Sequence, residues 1–136
     1  MARYFKYKAP ADITADAATL GHEIPATDDV SPLFESVAVG PRTVGNRFAI
    51  HPMEGCDGTL DGHPDELTFR RYQRFGAGGA KLIWGEATAI EDGGRMNPRQ
   101  LMINDDKADE LEKMLDDCRA ANRETLGGGD ALLLGL

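Results

Sequence analysis

Asn46-Arg47-Phe48-Ala49-Ile50-His51-Pro52-Met53-Glu54-Gly55-Cys56-Asp57-Gly58 is the stretch whose reading decides the fold. It opens with apolar residues and closes in a turn-rich polar run. Residues 48–50 predict a buried strand. Pro52 has no N–H to give to a ladder, so pairing ends there, and Gly55 and Gly58 let the backbone turn away. A strand that gives way to a polar loop just before a helix is the unit from which α/β sites are assembled. In such folds the ligand sits beyond the carboxyl ends of the strands. The candidate site is therefore residues 51–57.

Downstream of this stretch the same unit recurs. Gly62-His63-Pro64-Asp65-Glu66 predicts a helix start, with proline in the first turn and two carboxylates facing the positive end of the helix dipole. Leu67, Phe69, Tyr72 and Phe75 supply an apolar face, Arg70, Arg71 and Arg74 an outer one, and Gly76 with Gly78-Gly79 a stop. Ala80-Lys81-Leu82-Ile83-Trp84 is the second strand, running through Gly85-Glu86-Ala87-Thr88 into a polar loop at residues 91–98. Asn104-Asp105-Asp106 predicts the cap of a second helix. There Ala108, Leu111, Leu115 and Cys118 recur at helical spacing and Asp109 stands four before Lys113. Gly127-Gly128-Gly129 closes that helix. Residues 130–136 predict a third strand, apolar on both faces as a parallel strand under helices should be.

Upstream, Val37-Ala38-Val39 and Arg42-Thr43-Val44 flank Gly40-Pro41, the pattern of a short β-hairpin. Residues 1–30, rich in Ala and Asp with a weak helical period over residues 9–20, read as an N-terminal extension, and residues 31–136 as the domain proper. The order hairpin, β, α, β, α, β places the chain in the α/β class with a parallel sheet.

The chain has 136 residues, enough for one domain with a real core, and a formal net charge of −8. That charge opposes nucleic acid or an anionic membrane surface as partner. The start, Met1-Ala2-Arg3-Tyr4-Phe5-Lys6-Tyr7-Lys8, lacks the apolar segment of a secretion signal. Cys56 and Cys118 are far apart without metal-type spacing. The expectation is two reduced thiols in the cytoplasm.

Several residues invite chemistry. The glycines at 76–79 follow a helix and open a strand, the reverse of a dinucleotide fingerprint, so they read as a helix stop. His51, Glu54, Cys56 and His63 could be drawn as a metal site, but their spacing matches no zinc motif, and His63 beside Pro64 reads as a turn residue. Cys56 could be a nucleophile, yet the adjacent Asp57 would raise a thiol pKa and no base can be named. Glu86 ends the second strand. It either faces a ligand or is bonded to nearby backbone or to an arginine such as Arg47.

At these residues the chain resembles a known family. Leu33-Phe34-Glu35, residues 43–53, Asp65-Glu66-Leu67 through Tyr72, Gly78-Gly79-Ala80 with Leu82-Ile83, and Glu86-Ala87-Thr88 with Gly94-Arg95 resemble the N-terminal part of the old yellow enzyme family of NADH:flavin oxidoreductases. The resemblance runs from about Ser31 to Leu136. It implies a (β/α)₈ TIM barrel with FMN at the carboxyl ends of its strands and the hairpin covering the bottom. It also implies flavin contacts at Pro52, Met53 and Glu54, largely through backbone, and at Ala87 on the ring edge. NAD(P)H would be the co-substrate and an activated alkene or similar small molecule the acceptor. Where many members have Thr or Cys beside the flavin this chain has Glu54, and where some have an aromatic substrate contact it has Cys56.

A barrel of this kind needs about 250 residues, so the expectation is an N-terminal portion truncated at the third strand. The family's substrate-binding His/Asn or His/His pair and its phosphate-binding loops would lie beyond Leu136, and no catalytic residue is named within the chain. Such a portion is expected to be inactive by itself and to self-associate. Two alternatives belong to other classes: a non-catalytic truncated or complementing chain, and a small metal-binding α/β protein.

Overall fold

A computed structural model describes residues 5–127 and the backbone of residues 133–135. Contacts divide the chain into two compact units, Met1–Leu33 and Phe34–Leu136. In the first, helix α1 (Pro10–Thr19) starts at a proline, whose missing N–H is not needed in a first turn. The Asp12 carboxylate accepts the N–H groups of Lys8 and Ala9 at 2.8 and 3.1 Å, and Gly21, at φ 74°, turns the chain out of the helix. Only Ala17 of this helix is buried.

The second unit begins with the hairpin that the sequence predicts. β1 (Val37–Val39) and β2 (Arg42–Val44) pair antiparallel with Val37 opposite Val44. A three-stranded parallel sheet follows, in the order β3 (Ala49–Ile50), β4 (Leu82–Trp84), β5 (Leu133–Gly135). Helices α2 (Glu66–Ala77) and α3 (Ala108–Leu126) stand between successive strands, so the predicted βαβαβ order is present.

β3 is shorter and more open than the buried strand expected over residues 48–50. Ala49 is exposed, Ile50 half-buried, and Phe48 39% exposed. The cause lies in Asn46. Its side-chain oxygen accepts the N–H of Phe48 at 3.1 Å and of Lys81 at 3.2 Å, and its amide donates to the Gly79 carbonyl at 2.8 Å. A side chain thus replaces the first rung of the ladder. The Phe48 ring meets Phe34 edge-on, 5.5 Å between centroids, instead of entering the core.

α2 starts one step later than predicted. Asp65 is its N-cap and accepts the Glu66 N–H at 2.7 Å, Thr68 Oγ1 accepts the Asp65 N–H at 3.2 Å, and Pro64 precedes the cap. The buried residues of α2 are Thr68, Tyr72 and Gly76, while Leu67, expected on the apolar face, is 49% exposed. Gly76 is not the stop. It is a crossing point, where an added Cβ would fall 2.1 Å from the Cys118 carbonyl oxygen of α3. Asn122 donates to the Gly76 carbonyl at 2.8 Å and accepts from the buried Lys81 ammonium at 2.9 Å, which fixes the crossing. The helix ends at Gly78, and Gly79, at φ 89°, turns into β4.

α3 lacks the side-chain cap expected of Asn104-Asp105-Asp106. A turn closed by the Lys107 N–H on the Asn104 carbonyl leads into it. Its buried residues are Leu111, Met114, Cys118 and Asn122, and Ala108 is exposed. Lys113 pairs with Asp117 at 2.7 Å, not with Asp109. Tyr72, Ile83, Leu101, Leu111, Met114 and Cys118 form the core, with Ile50, Phe69, Phe75 and Leu115 packed against it. The predicted third strand is present as β5, paired parallel to β4 with Leu133 opposite Leu82. Its expected two-faced apolar character, and residues 130–132 and 136, lie outside the described residues. No helix among the described residues is long and apolar enough to cross a membrane.

Candidate functional site

The carboxyl ends of β3 and β4 point the same way, because the strands are parallel. The loop after β3 and the loop after β4 therefore share one end of the sheet, as the sequence reading requires. Several hydrogen bonds hold them together. The Gly55 N–H donates to Glu86 Oε2 at 2.9 Å, Asn97 donates to Glu54 Oε1 at 2.6 Å, and the Gly58 N–H donates to the Arg99 carbonyl at 3.1 Å. Arg95, its side chain 7% exposed, adds another by donating to the Leu60 carbonyl at 2.8 Å and to Asp92 at 2.9 Å.

The residues singled out from the sequence are distributed unevenly around this end. Pro52, Met53 and Ala87 are exposed, Met53 by 75%, and Glu54 is half-buried. Met53 therefore faces open space, while Ile50 packs on the core. Cys56 is exposed, at a φ of 50° unusual for a residue with a side chain. His51 is exposed, and His63 is drawn away to Glu110, Nδ1 to Oε2 2.7 Å, with Asp61 Oδ2 at 3.8 Å from Nε2. Among the described residues no three or more His, Cys, Asp or Glu side chains come together as a metal would need. The metal-binding alternative thus loses its ligand set.

Beneath the loops lies a buried polar cluster. Glu86 is 4% exposed, and its carboxylate is taken up by partners within the protein. The arginine that meets it is Arg71, not Arg47, which pairs with Glu35 at 3.2 Å. Arg71 reaches two carboxylates. Its Nε and Nη2 grip Asp57 at 2.8 and 2.7 Å, and the same Nη2 contacts Glu86 Oε1 at 2.5 Å. Tyr72 completes the cluster by accepting the Glu86 N–H at 3.1 Å, with its hydroxyl 3.4 Å from Glu86 Oε1. Thr68 donates to Asp57, 2.9 Å to Oδ1 and 3.0 Å to the carbonyl. The guanidinium lies against the rings of Tyr72 and Phe75, 5.2 and 5.8 Å from their centroids.

The electrostatics follow from this packing. Burial works against the charge on Asp57, but hydrogen bonds from Arg71 and Thr68, together with the Arg71 charge, hold its carboxyl below the ordinary value. Burial also works against the Arg71 cation, and the two carboxylates outweigh it, raising its pKa above the usual one. Burial pushes the Tyr72 phenol up to about 12.

Of this cluster only Asp57 falls within the candidate stretch 51–57; Arg71, Thr68 and Tyr72 lie outside it, and the sequence reading puts Arg71 on the outer face of its helix. A signal was present. Thr68, Arg71, Tyr72 and Phe75 stand at i, i+3, i+4 and i+7, so the arginine belongs to the inward stripe.

The fold has known counterparts. The chain is similar to the old yellow enzyme from Trypanosoma cruzi, with a TM-score of 0.56 and 22% identity over 66% of this chain and 24% of that one. It is similar to a variant of NCR from Zymomonas mobilis, with a TM-score of 0.58 and 27% identity over 65% of this chain and 29% of that one. It is also similar to TcOYE with pHBA, with a TM-score of 0.55 and 21% identity over 67% of this chain and 25% of that one. Old yellow enzymes are thus among its structural neighbours. The chain spans between 24% and 29% of their lengths. No family model matches the sequence, and no curated protein does.

Proposed function

We propose that this chain is the N-terminal portion of an FMN-dependent oxidoreductase of the old yellow enzyme type, built on a (β/α)₈ barrel. The observation that carries the reading is the pairing of the loops after β3 and β4 at one end of a parallel sheet, in a chain whose structural neighbours include old yellow enzymes. Strand-end loops are where α/β folds hold their ligands.

The residues present fit one edge of a flavin. Pro52 and Met53 are exposed residues just past the end of β3, and Ala87 is an exposed residue small enough for a ring to approach. They do not fit its phosphate, because the N–H groups nearest at hand are taken: Met53 donates to the His51 carbonyl and Gly55 to Glu86. In this reading the phosphate is held by later parts of the barrel. The bound flavin supplies hydride transfer from NAD(P)H to an activated alkene or similar small molecule. Pro52, Met53 and Glu54 lie along it, Ala87 at its edge, and Cys56 at the substrate side. The proposal includes a reducing, cytoplasmic setting for the free thiols of Cys56 and Cys118.

The exposure of Trp84, 54% on β4, favours a second reading, a non-catalytic chain whose exposed sheet face is covered by a complementing chain. Ala87→Trp in the native gene product tests the first. The position is exposed, so folding should be unchanged within about 0.5 kcal/mol, while retained flavin falls by about tenfold or more, the effect of blocking an edge contact worth about 1.4 kcal/mol. Full retention of flavin by a folded variant would remove Ala87 from the site.

A further inference from the structure

We propose that Arg71 is a positioning residue for the loop after β3: by holding Glu86 and Asp57 together it fixes the backbone at Gly55 and so sets where residues 52–54 stand. The inference rests on the flavin reading only for what those residues do once placed.

The geometry is specific. The Glu86 side chain is 1% exposed, and its two oxygens are divided between Arg71 and the Gly55 N–H. Asp57, two residues past Gly55, is held in a bidentate grip by Nε and by the same Nη2 that meets Glu86. The loop is therefore pinned at positions 55 and 57 through one cation that grows from a helix. Arginine is suited to this, because its planar fork can serve two carboxylates at once and lysine's single ammonium cannot match that geometry. Space confirms the arrangement. A Cβ at Gly55 would lie 2.2 Å from Arg71 Nη2, so the loop backbone is pressed directly on the guanidinium. The residue before Gly55 is Glu54, itself tied to Asn97 across the end of the sheet. Slack at Gly55 is passed straight to residues 52–54.

Hydrogen exchange of the full 136-residue chain, read on the segment 52–58 and on α2 and α3, tests this. Arg71→Lys retains the charge that Glu86 needs and loses the fork. Segment 52–58 should exchange at least about tenfold faster in it, the loss of a hydrogen bond to a charged group, while α2 and α3 stay at wild-type rates. Arg71→Met retains an unbranched stem but removes the cation, and should move the same segment further. A rise spread evenly over loop and helices in Arg71→Lys would make the residue merely structural and overturn the proposal, as would an unchanged loop. A Gly55→Ala substitution supplies an independent arm. It should destabilise the wild type and cost less in an Arg71→Ala background, and equal costs in both would also overturn the proposal. Loss of the flavin reading, through a colourless native product, would leave these outcomes standing, so the two failures are distinguishable.

Discussion

At the scale of single residues, the buried groups make the strongest demands. Tyr72 in the folded protein holds its proton up to a pKa of about 12, against 10.0 for the ordinary phenol, because burial disfavours the phenolate. Its neutral form contributes stability that is fully present below pH 10 and is lost as pH rises towards 12. Cys118 acts in the same sense from 9.0 to about 11. Asp57 acts in the opposite sense: its lowered pKa contributes stability above the ordinary value of 3.8, lost as pH falls through the folded one. Urea unfolding as a function of pH should show a smaller alkaline loss in Tyr72→Phe and a smaller acid loss in Asp57→Asn. Parallel curves for variant and wild type would contradict the burial assigned to either residue. These residues were hard to read from sequence for one reason. Whether a charged or hydroxyl side chain turns inward depends on the partner that meets it, and Asp57 and Glu86 stand 14 and 15 residues from Arg71 along the chain.

At the scale of elements, the α2–α3 crossing is the joint on which the packing turns. Gly76→Ala would ordinarily stabilise a helix by roughly 0.5–1 kcal/mol. Here the new methyl meets a backbone carbonyl that cannot move aside cheaply, so we expect a net loss of about 1–3 kcal/mol. A stabilised variant would mean that the helices do not cross there. On α3, Met114→Ala should cost about 2–5 kcal/mol as a fully buried truncation, and Ala108→Asp less than about 0.5 kcal/mol at an exposed position. Thermal denaturation that reverses this order would return Ala108 to the inward face. The hairpin, both later helices and the strand order were legible because apolar period and glycine punctuation agree there. The start of α2 and the extent of β3 were not. Their geometry is set by side-chain bonds from Asn46, Thr68 and Asp65 that periodicity does not encode.

At the scale of the whole molecule, the central claim is that this chain carries one side of a flavin site whose other side lies in further strands. The 136 residues alone should then hold FMN weakly or not at all, since too few contacts remain to offset the cost of immobilising the ligand. They should also self-associate, because the exposed Trp84 face of the sheet invites cover. Mass in solution and retained absorbance check both, and a yellow monomer would contradict them. Of the candidate site, the loop that follows β3 was legible from its proline and glycines, whereas the roles of Pro52, Met53, Glu54 and Ala87 rest on family resemblance, not on local pattern. The most direct measurement is the flavin content of the native gene product, isolated through a tag at its amino terminus. The account predicts about one FMN for each copy of this chain, within a particle of at least the roughly 250 residues that a barrel requires. A colourless product with no flavin, in a folded particle of 14.7 kDa, would contradict it.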